Sequence, residues 1–223
     1  MSQMGGENMR HRIIVFLVMF AIAGAAFASG AGEEDRFASL GADSISVKTE
    51  FLDVEVLADD RLGVTLDADL PADSLFAARG YRIMHEMRGS RLDVWVQKDT
   101  PFFSRGRGKL LFRVPRDARI RVETVSGNIS LDAVEGRIRA RTISGAIKGR
   151  DIALTGDSSF QTISGNVELR LESAIEDFRF DLSTHSGRIV VGNIRAEKGL
   201  RMGFGRTTVR GRSVSGSLIF REQ

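Results

Sequence analysis

Beyond about residue 30, apolar residues recur at every second position through most of the chain, which is the period of a half-buried β-strand and not of a helix. The segments Leu62 to Leu70, Tyr81 to Val96 and Leu110 to Val114 alternate in this way. They read as antiparallel strands joined by turns at Arg88-Gly89-Ser90 and around Pro101 to Gly108. Helical periodicity is confined to a weak stretch at Asp73 to Ala78.

From Ile120 onward the alternation changes phase at regular places. Ile120, Val122 and Thr124 share one parity, whereas Ile129 and Leu131 take the other. The same slip separates Ile138, Ala140 and Thr142 from Ile147. It recurs between Phe160 with Thr162 and Val167 with Leu169, and between Phe178, Phe180, Leu182 and Thr184 and Ile189 with Val191. A slip of one residue turns a whole set of side chains to the opposite face, so a recurring slip is a structural device.

Each slip coincides with a repeated tetrapeptide. The copies are Val122-Glu-Thr-Val-Ser-Gly-Asn-Ile-Ser-Leu131, Ala140-Arg-Thr-Ile-Ser-Gly-Ala-Ile-Lys-Gly149, Phe160-Gln-Thr-Ile-Ser-Gly-Asn-Val-Glu-Leu169 and Leu182-Ser-Thr-His-Ser-Gly-Arg-Ile-Val-Val191, with a weaker fifth at Arg212 to Phe220. Their glycines, Gly127, Gly145, Gly165, Gly187 and Gly216, are 18, 20, 22 and 29 residues apart. A step near twenty residues is about one solenoid coil. The long last step has room for an insertion, placed at Glu197 to Thr207.

The pairs Ser126-Gly127, Ser144-Gly145, Ser164-Gly165, Ser186-Gly187 and Ser215-Gly216 are therefore predicted to be corners that re-aim the chain with its apolar side inward. If these glycines take positive φ, Gly145→Val costs about 1–3 kcal/mol of backbone strain. Gly216, in the last coil, should matter less. The serines, and the threonines Thr124, Thr142, Thr162 and Thr184, could stack as hydroxyl ladders that satisfy buried backbone groups. Val47 to Val56 shows the same slip without Ser-Gly, with Leu52 at the glycine position, and reads as a capping copy.

The repeats predict an all-β fold, a β-solenoid first and an antiparallel β-sandwich as the alternative. Together with Val114-Pro115-Arg116-Asp117-Ala118-Arg119-Ile120, which leads into the first copy, they resemble a large bacterial family of unknown function with Thr-x-Ser-Gly strand repeats, whose members are often labelled candidate adhesins. The resemblance runs from about Ile45 to Phe220 and is sharpest from Val114 to Val191. It implies a β-repeat fold, frequent export or membrane attachment, and no catalytic residues. The chain departs from the pattern at His185, where the other copies carry Val or Ile, and in its long last step.

The first 28 residues have a different character. Arg10, His11 and Arg12 precede an apolar run from Ile13 to Ala28 that ends in Ala26-Phe27-Ala28, the layout of a signal peptide cleaved before Ser29. The run is short for a membrane span, and no second one follows. The domain reading is a signal peptide at 1–28, a flexible mature N-terminus at 29–43, a β-region with the capping copy at 44–115, and the repeat region at 116–223. Localisation is periplasmic, surface-bound or secreted. With no Cys in the chain, neither disulfides nor a lipid-modified cysteine can form.

Charge adds little to this picture. The net charge is +3, and the basic residues are spread along the sequence and mixed with Asp and Glu, so no concentrated basic face and no nucleic-acid partner are expected. The densest cluster, Arg105 to Lys109, reads as a solvated hairpin turn.

Catalytic patterns are incomplete. His85-Glu86 lacks a second His four residues on, because that position is Gly89. His185 and Ser186 are neighbours on a strand and point to opposite faces, which defeats a triad with Asp181. The acids Glu172, Glu176 and Asp177 are scattered, not clustered as glycan hydrolysis requires. A sugar-binding stripe lacks aromatics, since the one Trp, Trp95, lies outside the regular repeats.

The expectation is therefore a non-enzymatic exported protein with no metal or cofactor. It would bind an envelope or extracellular protein or glycan in adhesin-like fashion; the alternatives are a periplasmic scaffold or regulatory partner, or a polysaccharide-acting β-helix enzyme. N-terminal sequencing of the exported protein should find Ser29 or a residue beside it. An intact N-terminus in the membrane pellet would instead identify a signal anchor.

Overall fold

The period-2 runs become strands throughout the residues that the computed structural model describes, 35–60, 63–69, 81–98 and 108–223. In chain order these are β1 (Asp35–Ser39), β2 (Ser44–Lys48), β3 (Asp53–Ala58), β4 (Val64–Asp69), β5 (Tyr81–Arg88), β6 (Arg91–Lys98), β7 (Lys109–Val114), β8 (Arg119–Glu123), β9 (Ile129–Asp132) and β10 (Glu135–Gly136). They continue with β11 (Ile138–Arg141), β12 (Ile147–Leu154), β13 (Ser158–Gln161), β14 (Val167–Leu171), β15 (Phe178–Val191), β16 (Ile194–Met202), β17 (Thr207–Ser215) and β18 (Leu218–Glu222). A 3-10 turn, Ile175–Asp177, precedes β15.

Each repeat supplies two strands that meet at the Thr-x-Ser-Gly corner. The first strands stack into one sheet in the order β5-β6-β2-β8-β11-β13-β17-β15-β16. The second strands stack in the order β1-β4-β7-β3-β9-β12-β14-β18, followed by the C-terminal half of β15. Pairing between coils is parallel, and it is antiparallel only toward the ends of the stack. The architecture is thus a β-solenoid and not a sandwich, because parallel strands stacked coil on coil need the chain to wind, not to meander. A short third side pairs β10 with the end of β12; the chain turns onto it at Ala133 and Asp151, both with left-handed backbone (φ 53° and 54°).

The two sheets enclose one apolar core. Ile120, Val122, Ile138, Ala140, Phe160 and Val209 point into it from the first sheet, and Ile129, Leu131, Ile147, Val167, Leu169 and Leu218 from the second. Phe160, Phe180 and Phe220 pack edge to face at the C-terminal end, with centroid separations of 6.3 Å and 5.5 Å to Phe220. The core is continuous across residue 115, since Ile45 lies beside Ile120 and Val47 beside Val122. The regions expected at 44–115 and 116–223 are therefore one compact unit.

Four other expectations are corrected. The copy at Val47 to Val56 does not cap the stack: β2 lies between β6 and β8, and β3 between β7 and β9, because its apolar set matches its neighbours on both sides. Asp35–Ser39, expected in a flexible N-terminus, forms β1 against β4. The fifth repeat is not last in space: β17 pairs with both β13 and β15, so it fills a gap one strand wide between the third and fourth copies. The extra residues before it form β16, which folds back antiparallel on β15. The signal segment, the Asp73 to Ala78 stretch and Arg105 to Arg107 lie outside the described residues.

The repeated tetrapeptide follows from how closely the coils approach. In spatial order the glycine row runs Leu52, Gly127, Gly145, Gly165, Gly216, Gly187. A Cβ on Gly145 would lie 2.2 Å from the carbonyl oxygen of Gly127, one on Gly165 1.9 Å from that of Gly145, and one on Gly216 1.8 Å from that of Gly165. Each of those carbonyls accepts a hydroxyl from the next coil. Thr142 Oγ1 donates to Gly127 (3.0 Å), Thr162 Oγ1 to Gly145 (3.1 Å), Ser213 Oγ to Gly165 (3.4 Å) and Thr184 Oγ1 to Gly216 (2.9 Å).

The glycine is thus required by contact and not by a left-handed backbone, since Gly127, Gly145 and Gly165 do not have positive φ. Only Gly187 (φ 156°) and Gly216 (φ 157°) add a conformational demand. The threonine row is buried and does what a hydroxyl ladder was expected to do. The serine row is exposed, and its one hydroxyl hydrogen bond among the described residues is a long one, from Ser126 Oγ to the Glu50 carbonyl at 3.4 Å.

Gly145→Ala, Gly165→Ala and Gly216→Ala should each lose about 1–3 kcal/mol in denaturant unfolding, the cost of overpacking against a backbone that cannot rotate away. Gly216 should lose no less than Gly145, because its coil is interior. Thr142→Val should lose about 1 kcal/mol by leaving the Gly127 carbonyl unpaired, and Ser144→Ala close to nothing. A large loss at Ser144 with none at the glycines would contradict this account of the corner.

Candidate basic groove

The corner residues are structural. Ser126, Ser144, Ser164, Ser215 and Ser186 form one exposed row, stacked along the solenoid beside Gly127, Gly145, Gly165, Gly216 and Gly187. His185 is exposed in the neighbouring row, and Asp181 is held by Arg212 (2.9 Å) and Arg201 (3.4 Å), so Ser186, His185 and Asp181 do not assemble. His85 is exposed on β5. Glu172 pairs with Arg116 at 3.3 Å. Among the described residues no three His or acidic side chains converge in a way that could hold a metal.

The outward side chains of the two sheets differ in how their charges are matched. On the second sheet four cations pair with carboxylates of adjacent strands, Lys109 with Glu55, Arg113 with Asp67, Arg150 with Asp132 (2.7 Å) and Arg221 with Glu168 (3.9 Å), while Lys148 and Arg170 make no ion pair among the described residues and Arg170 lies beside Arg221. On the first sheet the register sets Arg139 directly beside Arg121, with Arg119 earlier on β8 and Arg137 immediately before β11. Arg121 is bound to Glu123 at 2.6 Å, but Arg119, Arg137, Arg139, Arg141 and Lys48 make no ion pair among the described residues.

Like charges placed opposite one another across strands cost stability. Here they are tolerated because the side chains are exposed and the field is screened by solvent. The expectation that the arginines form no concentrated face is corrected, since parallel register brings together residues some twenty positions apart in the chain.

Arg119, Arg121, Arg137 and Arg139 wall an open groove of ≈730 Å³. Its floor is β2, whose outward residues Ser44 and Ser46 are short. One wall is β6, with Arg91, Asp93 and the half-buried Trp95; the other is β8 and β11. Asp93 is the sole carboxylate lining the groove, and Arg91 (2.9 Å) and Arg88 (3.4 Å) already neutralise it. Lys48 lies beside Trp95 at one end.

Toward β17 and β15 the same face is neutralised. Asp157 sits below the usual carboxylate range, chiefly because the Thr208 amide donates to it at 2.9 Å, with help from Arg210 and Arg137. Partial burial pushes Asp181 upward, but the hydrogen bonds and charges of Arg212 and Arg201 outweigh it and leave its carboxyl lowered.

Comparison with known proteins bears on the fold. Residues 113–210 match the family described as Toastrack DUF4097. None of the curated proteins matches. Among solved structures, a candidate cell adhesion protein from Clostridium sporogenes is similar, with 10% identity and a TM-score of 0.65 over 86% of this chain and 100% of that one. A candidate adhesin from Bacteroides fragilis has 12% identity and a TM-score of 0.39, covering 86% and 98%. A candidate lipid-binding protein from Parabacteroides distasonis has 15% identity and a TM-score of 0.37, covering 87% and 96%. The first of these shares the fold.

Asp157 and Asp181 have folded pKa values below their unfolded ones. Their contribution to stability is therefore present above about pH 4 and is lost as pH falls through the lower folded values. Asp181→Asn should destabilise modestly at pH 7, by roughly 0.2–1 kcal/mol for so exposed an arrangement. The difference from wild type should vanish near pH 2. Urea unfolding at the two pH values measures it, and a difference that persists in acid would mean that Asp181 acts by packing.

Proposed function

We propose that this protein is exported and non-enzymatic, and acts as an adhesin-like binding protein of the cell envelope that presents the arginine-walled groove to an anionic partner. The observation that carries this reading is the group of cations on the first sheet, Arg119, Arg137, Arg139 and Lys48, that line one groove without an ion pair. Export rests on the apolar run ending at Ala28.

A second reading has its own support. The variable positions of the corner, Val125, Ile143, Ile163 and Val214, form an apolar row 41–50% exposed along the stack, suited to a protein partner of a periplasmic scaffold.

Reversing the groove charge separates the two. Arg119→Glu with Arg139→Glu should abolish retention of the purified protein on intact cells or envelope fractions, while Val125→Ser with Ile143→Ser should leave it unchanged. The opposite pattern would favour the scaffold.

A further inference from the structure

Resting on the reading of the groove as the binding face, we infer that its ligand is an acidic polysaccharide, with Trp95 stacking on a sugar ring and the arginines of β8 and β11 pairing with its carboxylates. The groove runs along β2 from Ser44 to Lys48, roughly 13 Å at the rise of a β-strand, enough for a short run of sugars and no more. Its chemistry is that of a glycan site in three respects. The floor is lined by the small hydroxyl-bearing residues Ser44 and Ser46, which can exchange hydrogen bonds with sugar hydroxyls. One wall carries a single half-buried indole on the outward face of β6, in register with Lys48. The opposite wall carries Arg119, Arg137 and Arg139, whose planar guanidinium groups bind carboxylates bidentately.

Other polyanions fit less well. A single-stranded nucleic acid would need a succession of stacking platforms, and the groove has one. An anionic membrane would need apolar side chains ready to enter it, and the exposed apolar row stands at the Thr-x-Ser-Gly corner, not in the groove. The sequence-level objection to a sugar site was that the one Trp stands outside the repeats. The parallel pairing of β6 with β2 removes it, by carrying Trp95 to the edge of the repeat stack.

Because Trp95 is the only Trp in the chain, its fluorescence reports on this groove alone. The full mature protein is titrated with oligogalacturonate. The same oligomer with methyl-esterified carboxylates, and inorganic polyphosphate, serve as comparisons. Oligogalacturonate should change the Trp95 emission saturably, and the esterified oligomer should bind at least about tenfold more weakly, the loss expected for one charge-assisted pair.

Arg119→Ala and Arg139→Ala, both at exposed positions, should each weaken binding about tenfold. Lys148→Ala on the opposite sheet should not. Trp95→Ala, followed by calorimetry and checked for an unchanged melting temperature, should weaken oligogalacturonate about fivefold and leave polyphosphate binding within twofold. Should Trp95→Ala lower the melting temperature, Trp95→Phe, which keeps an aromatic face, replaces it and should retain most of the affinity.

Equal binding of the esterified and free oligomers would overturn the inference, as would equal effects of Trp95→Ala on oligogalacturonate and polyphosphate. If no sugar changes the emission while charge reversal still abolishes envelope retention, the ligand assignment falls and the binding face stands. If charge reversal changes neither, both fall.

Discussion

The structure depends on a carbonyl group for which each coil makes room in the next. At the four steps from Gly127 to Gly187 the glycine oxygen of one coil points at the glycine Cα of the following coil and accepts a hydroxyl from its threonine or serine. A side chain on that Cα would occupy the oxygen's place, and an apolar residue at the threonine position would leave a buried acceptor unpaired. Threonine and glycine are therefore two halves of one contact, each serving the neighbouring coil and not its own. This explains why they travel together as a repeat, while the residue between Thr and Ser, which faces solvent, varies from Val and Ile to His.

The same contact makes spatial order matter more than chain order. β17 and β18 enter the stack between the third and fourth copies, and β15 with β16 closes the end. The last two copies must therefore assemble together, since neither completes its pairing without the other. Such non-local pairing makes folding slow compared with a simple coil-by-coil wind. The closing strand β16 carries Arg195, Glu197, Lys198 and Arg201 along an edge that would otherwise invite a further strand, a recognised defence of sheet edges.

Inside the solenoid every position is constrained by packing, and outside it almost none is. Outward residues are therefore free to take different charge patterns on the two sheets without changing the fold. On the second sheet, neighbouring coils exchange ion pairs. On the first, β8 and β11 place arginines side by side, and only toward β15 and β17 do Asp157 and Asp181 restore the balance. A chain with a net charge of only +3 thus acquires a strongly cationic groove by distribution alone.

What the sequence determined by itself was periodicity. The alternation of apolar residues, the parity slips and the spacing of the glycines specify strands, corners and a coil of about twenty residues, since these are local consequences of side-chain direction and turn chemistry. The steric role of glycine was not legible: φ and close approach select the same residue, and only the position of Gly127 against Gly145 in the next coil distinguishes them. The interior place of the Val47 to Val56 copy and the exchange of the last two copies were decided by tertiary structure, because parallel pairing depends on which apolar sets match across long separations. The groove belongs to that second category. Arg119, Arg139 and Trp95 are dispersed in the chain, and only the register of β6, β2, β8 and β11 makes them neighbours.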